Sequence, residues 1–177
     1  MRLFILAILL SVPVFVDAQK YKVIKSYVRF YSEAPVENIE AVNMQSSSIF
    51  DLQTGKIAFS IPIREFHFDK KLMREHFNEN YLESDKFPNA TFQGKITNFD
   101  INKTTLQPAI AKGLITIHGV ERDIEIPGEI QASTNYLKIK AKFNVTLEDY
   151  DVKIPSIVYY NISEIVEVTI LFDYAKM

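Results

Sequence analysis

Between positions 137 and 147 the chain alternates without a break. Leu137, Ile139, Ala141, Phe143, Val145 and Leu147 are apolar, and Lys138, Lys140, Lys142, Asn144 and Thr146 between them are polar. A period of two held over that length fits an extended strand with one dry and one wet face, because a helix would scatter the two classes around its circumference. The stripe recurs. Ile57, Phe59, Ile61 and Ile63 alternate with Ala58, Ser60, Pro62 and Arg64, and Val166, Val168, Ile170 and Phe172 form another stripe near the C-terminus. Shorter ones come from Val28 and Phe30, Phe92 and Ile96, and Ile115 and Ile117. One-sided strands must bury their dry faces against each other, which predicts an antiparallel meander closed into a barrel or sandwich. Turns are expected at residues 53–55, 100–102, 126–128 and 133–135. Pro62 cannot donate to a ladder, so it is expected at an edge or a bulge.

One stretch breaks the period. Leu72, Met73, His76 and Phe77 recur at helical spacing behind Asp69, a candidate N-cap, and Pro88 stops any helix by Phe87. A single helix of about three turns is therefore expected over residues 69–84, lying across one end or side of the sheet. Its Phe77, Tyr81 and Leu82 would cover the open end of a barrel.

The first eighteen positions read differently from the rest. Arg2 precedes an apolar run over residues 3–16 interrupted by Ser11 and Pro13, and Val16-Asp17-Ala18 follows. This is the pattern of a secretory signal peptide cut after Ala18, with a mature chain from Gln19 to Met177 as one domain. The run is too short to cross a bilayer, which takes about 20 residues. There is no cysteine, which excludes disulfides, thiolate metal sites, cysteine nucleophiles and a lipid-modified cysteine. No stable membrane anchor is expected, and the location predicted is periplasmic or secreted. With 20 basic against 22 acidic residues, nothing electrostatic favours nucleic acid.

Catalytic chemistry finds no foothold. The sequence has no Gly-x-Ser-x-Gly elbow, no glycine-rich phosphate loop and no Ser-x-x-Lys. Glu148, Asp149 and Asp151 gather at a strand end without a partner pattern. His67 and His76 lie near Glu65, Glu75 and Glu79, but their spacing matches no ligand motif, so neither a metal nor another cofactor is expected. His118 stands in Ile117-His118-Gly119 at a strand end, where a structural histidine holding the turn is the favoured reading and a ligand-contacting or pH-sensitive role the alternative. The chain carries 13 Phe and 9 Tyr. They either pack a filled core or line an apolar channel.

Two motifs add a resemblance. Phe87-Pro88-Asn89-Ala90-Thr91-Phe92 leads from the helical stretch into a strand, and Gly113-Leu114-Ile115-Thr116-Ile117-His118-Gly119-Val120 follows. Together with the single helix, the leader and the length, they resemble the YceI-like family of bacterial envelope proteins, also described as lipid- or polyisoprenoid-binding. The resemblance implies an all-β fold, an extended lipocalin-like antiparallel barrel of about eight strands with one short helix. It implies non-enzymatic binding of a polyisoprenoid, an isoprenoid quinone or a fatty acyl chain, and it is compatible with a homodimer. Ligand contacts carried over to the dry faces are Phe59, Ile61, Phe92, Ile115, Ile117, Phe143, Val145, Val168 and Ile170. The alternative is a structural or stress-response envelope protein with a filled barrel and a protein partner. The segment 147–155 departs from the family's late strand pattern.

Overall fold

The computed structural model describes residues 19–33, 38–133, 135–153 and 163–177. The expected leader and Pro155 lie outside them. Nine antiparallel strands make up the described fold: β1 Lys20–Ser32, β2 Ile39–Asn43, β3 Ser47–Asp51, β4 Lys56–Pro62, β5 Asn89–Thr97, β6 Gln107–Ile117, β7 Val120–Ala132, β8 Tyr136–Thr146 and β9 Ile165–Lys176. The sheet runs β1-β3-β4-β5-β6-β7-β8-β9 and closes where β9 pairs β1. The result is a closed eight-stranded barrel, with β2 hydrogen-bonded to β1 outside the ring. The stripes read from the sequence are its inner face.

β1 serves two neighbours because of a bulge. Lys20–Lys22 pair β3, and Val28–Ser32 pair β2. Between them the register to β9 slips at Val23/Lys25. Tyr21 and Val23 turn inward before the slip, and Ser26, Val28 and Phe30 after it. The inward parity thus switches from odd to even, and Ile24 is left exposed. An extra residue of this kind bends and twists its strand.

A second irregularity lies between β7 and β8. They pair only where Gly128–Ala132 meet Leu137–Ala141. Beyond that point β7 keeps only β6, and β8 keeps only β9. The wedge between them is bridged at its wide end by a 3-10 turn, Leu147–Tyr150, onto whose Asp149 carbonyl Arg122 Nε donates at 3.0 Å. This corrects the turn expected at 126–128. The strand continues through it, and Pro127 pairs Ile110 at the first position where β8 has left. Its missing N–H therefore falls where β8 needs no donor. The turns expected at 53–55 and 100–102 form, and Ser133 and Tyr136 face each other across the third, whose Thr134 lies outside the described residues. Gly55 takes φ +71 and donates to Asp51 O at 2.8 Å, Asp100 Oδ1 accepts from Asn102 N, and Ser133 N donates to Tyr136 O at 2.9 Å. Pro62 ends β4 beyond Ser60, where β3 pairing stops, and so sits on a local edge.

The helical insertion differs from expectation. It divides into α1, Lys71–His76, and a π-helical turn, Phe77–Tyr81. Lys70, not Asp69, holds the cap position, and no side chain caps it. Leu72 is 63% exposed, so the apolar stripe is narrower than its spacing suggested. The wider π turn, with Leu82 N donating to Phe77 O, brings Phe77, Tyr81 and Leu82 down onto the barrel.

The barrel interior has two tiers. At the end bearing the loops 52–55, 98–106 and 133–135, large side chains fill it: Tyr21, Phe50, Ile130, Leu137, Phe172 and Tyr174 are each at most 2% exposed. Gln107 locks the long loop there, accepting from Asp100 N and donating to Asp100 O, both at 2.8 Å. The opposite end is hollow.

Candidate functional site

The hollow tier is a cavity with an empty volume of about 1080 Å³, its open mouth included. Its floor is aromatic. Phe59 and Phe92 stack with ring centroids 5.2 Å apart, and Phe172 meets Phe59 edge-on at 5.8 Å. Gly94, two residues along β5 on the same face, gives Phe92 room, since a Cβ there would lie 2.7 Å from the Phe92 ring. The walls are the inward residues of six strands. Val28 and Phe30 come from β1, Phe59 and Ile61 from β4, Ile115 and Ile117 from β6. Ala90 adds β5, Phe143 and Val145 add β8, and Val166, Val168 and Ile170 add β9.

The roof is a second aromatic cluster. After β4 the chain makes a 3-10 turn, Ile63–Glu65, then runs extended through Phe66, His67 and Phe68. His67 exchanges two backbone hydrogen bonds with Val42 of β2, at 2.9 and 3.1 Å. That alternation turns His67 to solvent and both phenylalanines toward the cavity. Phe30 stacks on Phe77 at 5.2 Å and meets Phe66 at 5.4 Å and Phe68 at 5.7 Å. Phe77 also packs on Phe66 and Phe68, at 5.6 and 5.0 Å. The outer strand β2 thus anchors the segment that carries half of the roof.

Of the nine dry-face positions carried over, eight line this cavity: Phe59, Ile61, Ile115, Ile117, Phe143, Val145, Val168 and Ile170. Phe92 does not line it. It is 1% exposed and lies beneath Phe59 as part of the floor. The sequence reading placed Phe77, Tyr81 and Leu82 at the opening, and all three line it. It missed Phe66, Phe68, Ile39 and Val152. The signal for the first two was present as Phe66-His67-Phe68, a short alternation lying between a strand and a helix.

Polar groups are few and mostly committed. Ser32 Oγ, at the rim, accepts from Ser163 N at 3.0 Å. Tyr81 also lines the cavity, and burial raises the pKa of its hydroxyl. Among the described residues, no carboxylate, histidine, lysine or arginine lines the cavity. Among the described residues, no group of three or more histidines and carboxylates could hold a metal ion.

His118 lies just outside and holds the turn. Ile117 pairs Val120 across a two-residue hairpin in which His118 and Gly119 both take positive φ, +51 and +77, the geometry of a type I′ turn. The Gly119 position is also sterically closed, because a Cβ would meet the Phe87 ring at 2.3 Å. The His118 ring bonds Tyr150 O through Nδ1 at 3.0 Å and Glu83 Oε2 through Nε2 at 2.8 Å, and it packs edge-on to Phe87. One imidazole thereby ties the hairpin to the 3-10 turn and to the end of the lid. The Tyr150 pKa is raised by burial and by Asp149, against the opposing effect of Arg122.

A closed antiparallel barrel with an apolar, lidded interior defines a lipocalin-like binding fold. A profile of the YceI-like domain matches residues 15–174, and the chain belongs to that family. No curated protein sequence matches it. Among solved structures it resembles a polyisoprenoid-binding domain from Saccharophagus degradans implicated in plant cell wall breakdown. The TM-score is 0.77 at 13% identity, over 91% of this chain and 100% of that one. Burkholderia cenocepacia BcnA aligns with a TM-score of 0.70 at 15% identity, over 84% and 95% of the two chains. The Campylobacter jejuni YceI protein aligns at 0.57 and 15% identity, over 100% and 99%. These likenesses are likenesses of fold. No helix among the described residues is long and apolar enough to cross a membrane.

Proposed function

We propose that this protein binds one amphiphilic isoprenoid-type lipid in the hollow tier, without chemical change, and carries or sequesters it in the periplasm or outside the cell. An isoprenoid quinone or a fatty acyl chain fits the same chemistry. The observation that carries the reading is the cavity itself, apolar on every wall, closed below and lidded above. Each methylene moved from water into it contributes about 0.8 kcal/mol. The described lining is apolar side chains with a few hydroxyls, which favours binding over catalysis. Membership of the YceI-like family and the fold shared with a polyisoprenoid-binding domain support the ligand class. The hollow tier weighs against the alternative of a filled barrel that serves a protein partner.

The test is native mass spectrometry of the mature protein purified from its own cells, with extraction of any adduct. A stoichiometric isoprenoid or acyl species is expected. Ile117→Glu, which places a carboxylate on the cavity wall, should remove the adduct while circular dichroism stays unchanged. An adduct-free wild type that takes up neither lipids nor quinones when offered them would overturn the reading.

A further inference from the structure

Resting on that lipid-binding reading, we propose that the cavity selects a short apolar chain, a few isoprene units long rather than a long polyprenyl tail. The limit is set from below. A barrel open from end to end would let a tail run through, but here Phe59, Phe92 and Phe172 cross the bore as one connected set of rings. Phe92 and Phe172 are almost completely buried, and the tier beneath them is packed, so the rings have no vacant space to swing into. Above, Phe30 and Phe77 stack as part of the roof. Between floor and rim, the cavity residues of β9 run from Val166 to Ile170. Those four steps span ~13 Å along the strand, and less along the barrel axis because strands tilt.

The consequence is a break in how affinity depends on length. Each added unit buries more surface while it still fits above the floor. Further units stay in water and add nothing. The position of the break belongs to the floor residues. Phe59→Ala opens space for about one more unit, as an estimate from the volume of a lost ring. Ile115, the cross-strand partner of Phe92 on the cavity wall, gives the opposite change: Ile115→Phe raises the floor.

The experiment offers the protein an equimolar mixture of geraniol, farnesol, geranylgeraniol and geranylfarnesol in detergent and reads the bound distribution by native mass spectrometry. Occupancy should rise along the series and then stop rising. The break should move one member longer in Phe59→Ala and one member shorter in Ile115→Phe. Circular dichroism checks both variants, and if Phe59→Ala does not fold, Ile115→Phe decides alone. A steady rise through the whole series, or a break that stays put in the folded variants, overturns the floor proposal and leaves lipid binding standing. Failure of the wild type to take up any member overturns lipid binding itself, and the floor proposal with it.

Discussion

Tyr174 shows what one hydroxyl does inside an apolar tier. The side chain is 1% exposed, and its oxygen lies 2.7 Å from Ser48 Oγ. Ser48 donates its own proton to Ala58 O at 2.9 Å, so Tyr174 is the donor to Ser48. Burial raises the Tyr174 pKa far above the ordinary tyrosine value, with the Ser48 bond pulling weakly the other way. A raised folded-state pKa means that the folded protein holds this proton more tightly than the unfolded chain does. The associated stability is fully present below the unfolded value, about 10, and is lost as pH rises through the folded one. Tyr174→Phe is expected to lower stability at neutral pH by about 1 kcal/mol and to shrink the alkaline loss. Tyr21, Tyr81 and Tyr150 shift in the same direction, so the loss should shrink rather than vanish. Urea unfolding of both proteins at neutral pH and above pH 10 measures this, and an unchanged alkaline slope would contradict it.

At the scale of elements, the two tiers should respond differently to the same truncation. Phe50 of β3 is wholly buried in the packed tier, so Phe50→Ala should cost about 3–5 kcal/mol. Phe77, in the lid, borders empty space on one side. Phe77→Ala should cost clearly less by urea denaturation, and equal losses would mean that the hollow tier is filled by its surroundings. The strands were legible in the sequence because each has one wet and one dry face, and period two survives any tertiary detail. The lid was legible only as a helix, since the π turn and the exposed Leu72 depend on how the insertion meets the barrel. Pro127 misled because Ile-Pro-Gly reads as a turn wherever the sheet is assumed continuous, whereas a strand that has lost a neighbour accepts proline. Cavity residues were found where they lie on long stripes. Phe66 and Phe68 were not, because two residues in alternation are below what periodicity can resolve. Phe92 was placed on the correct face but at the wrong depth, since alternation gives the face of a strand and says nothing of the level at which the bore closes.

For the molecule as a whole, a ring of strands should have no edge to offer a second copy, and the parting of β7 from β8 brings one back. Along 123–127, β7 has no ladder partner on that side among the described residues. Unpaired strand edges recruit other strands and lead to self-association. The outward side chains at this edge are Glu121, Asp123 and Glu125, followed by Pro127. If two copies met edge to edge about a two-fold axis, carboxylates would stand opposite carboxylates, and proline would interrupt the new ladder. Lys112 offsets Glu125 through an ion pair at 2.6 Å, which leaves Glu121 and Asp123 to supply most of the repulsion. The double substitution Glu121→Gln, Asp123→Asn should leave the barrel folded but raise its tendency to associate, visible by sedimentation velocity as a concentration-dependent dimer. A variant as monodisperse as the parent would mean that the edge is shielded by something other than charge. The parting that widens the barrel wall thus carries a solubility requirement, met by acidic residues that touch neither the cavity nor the core.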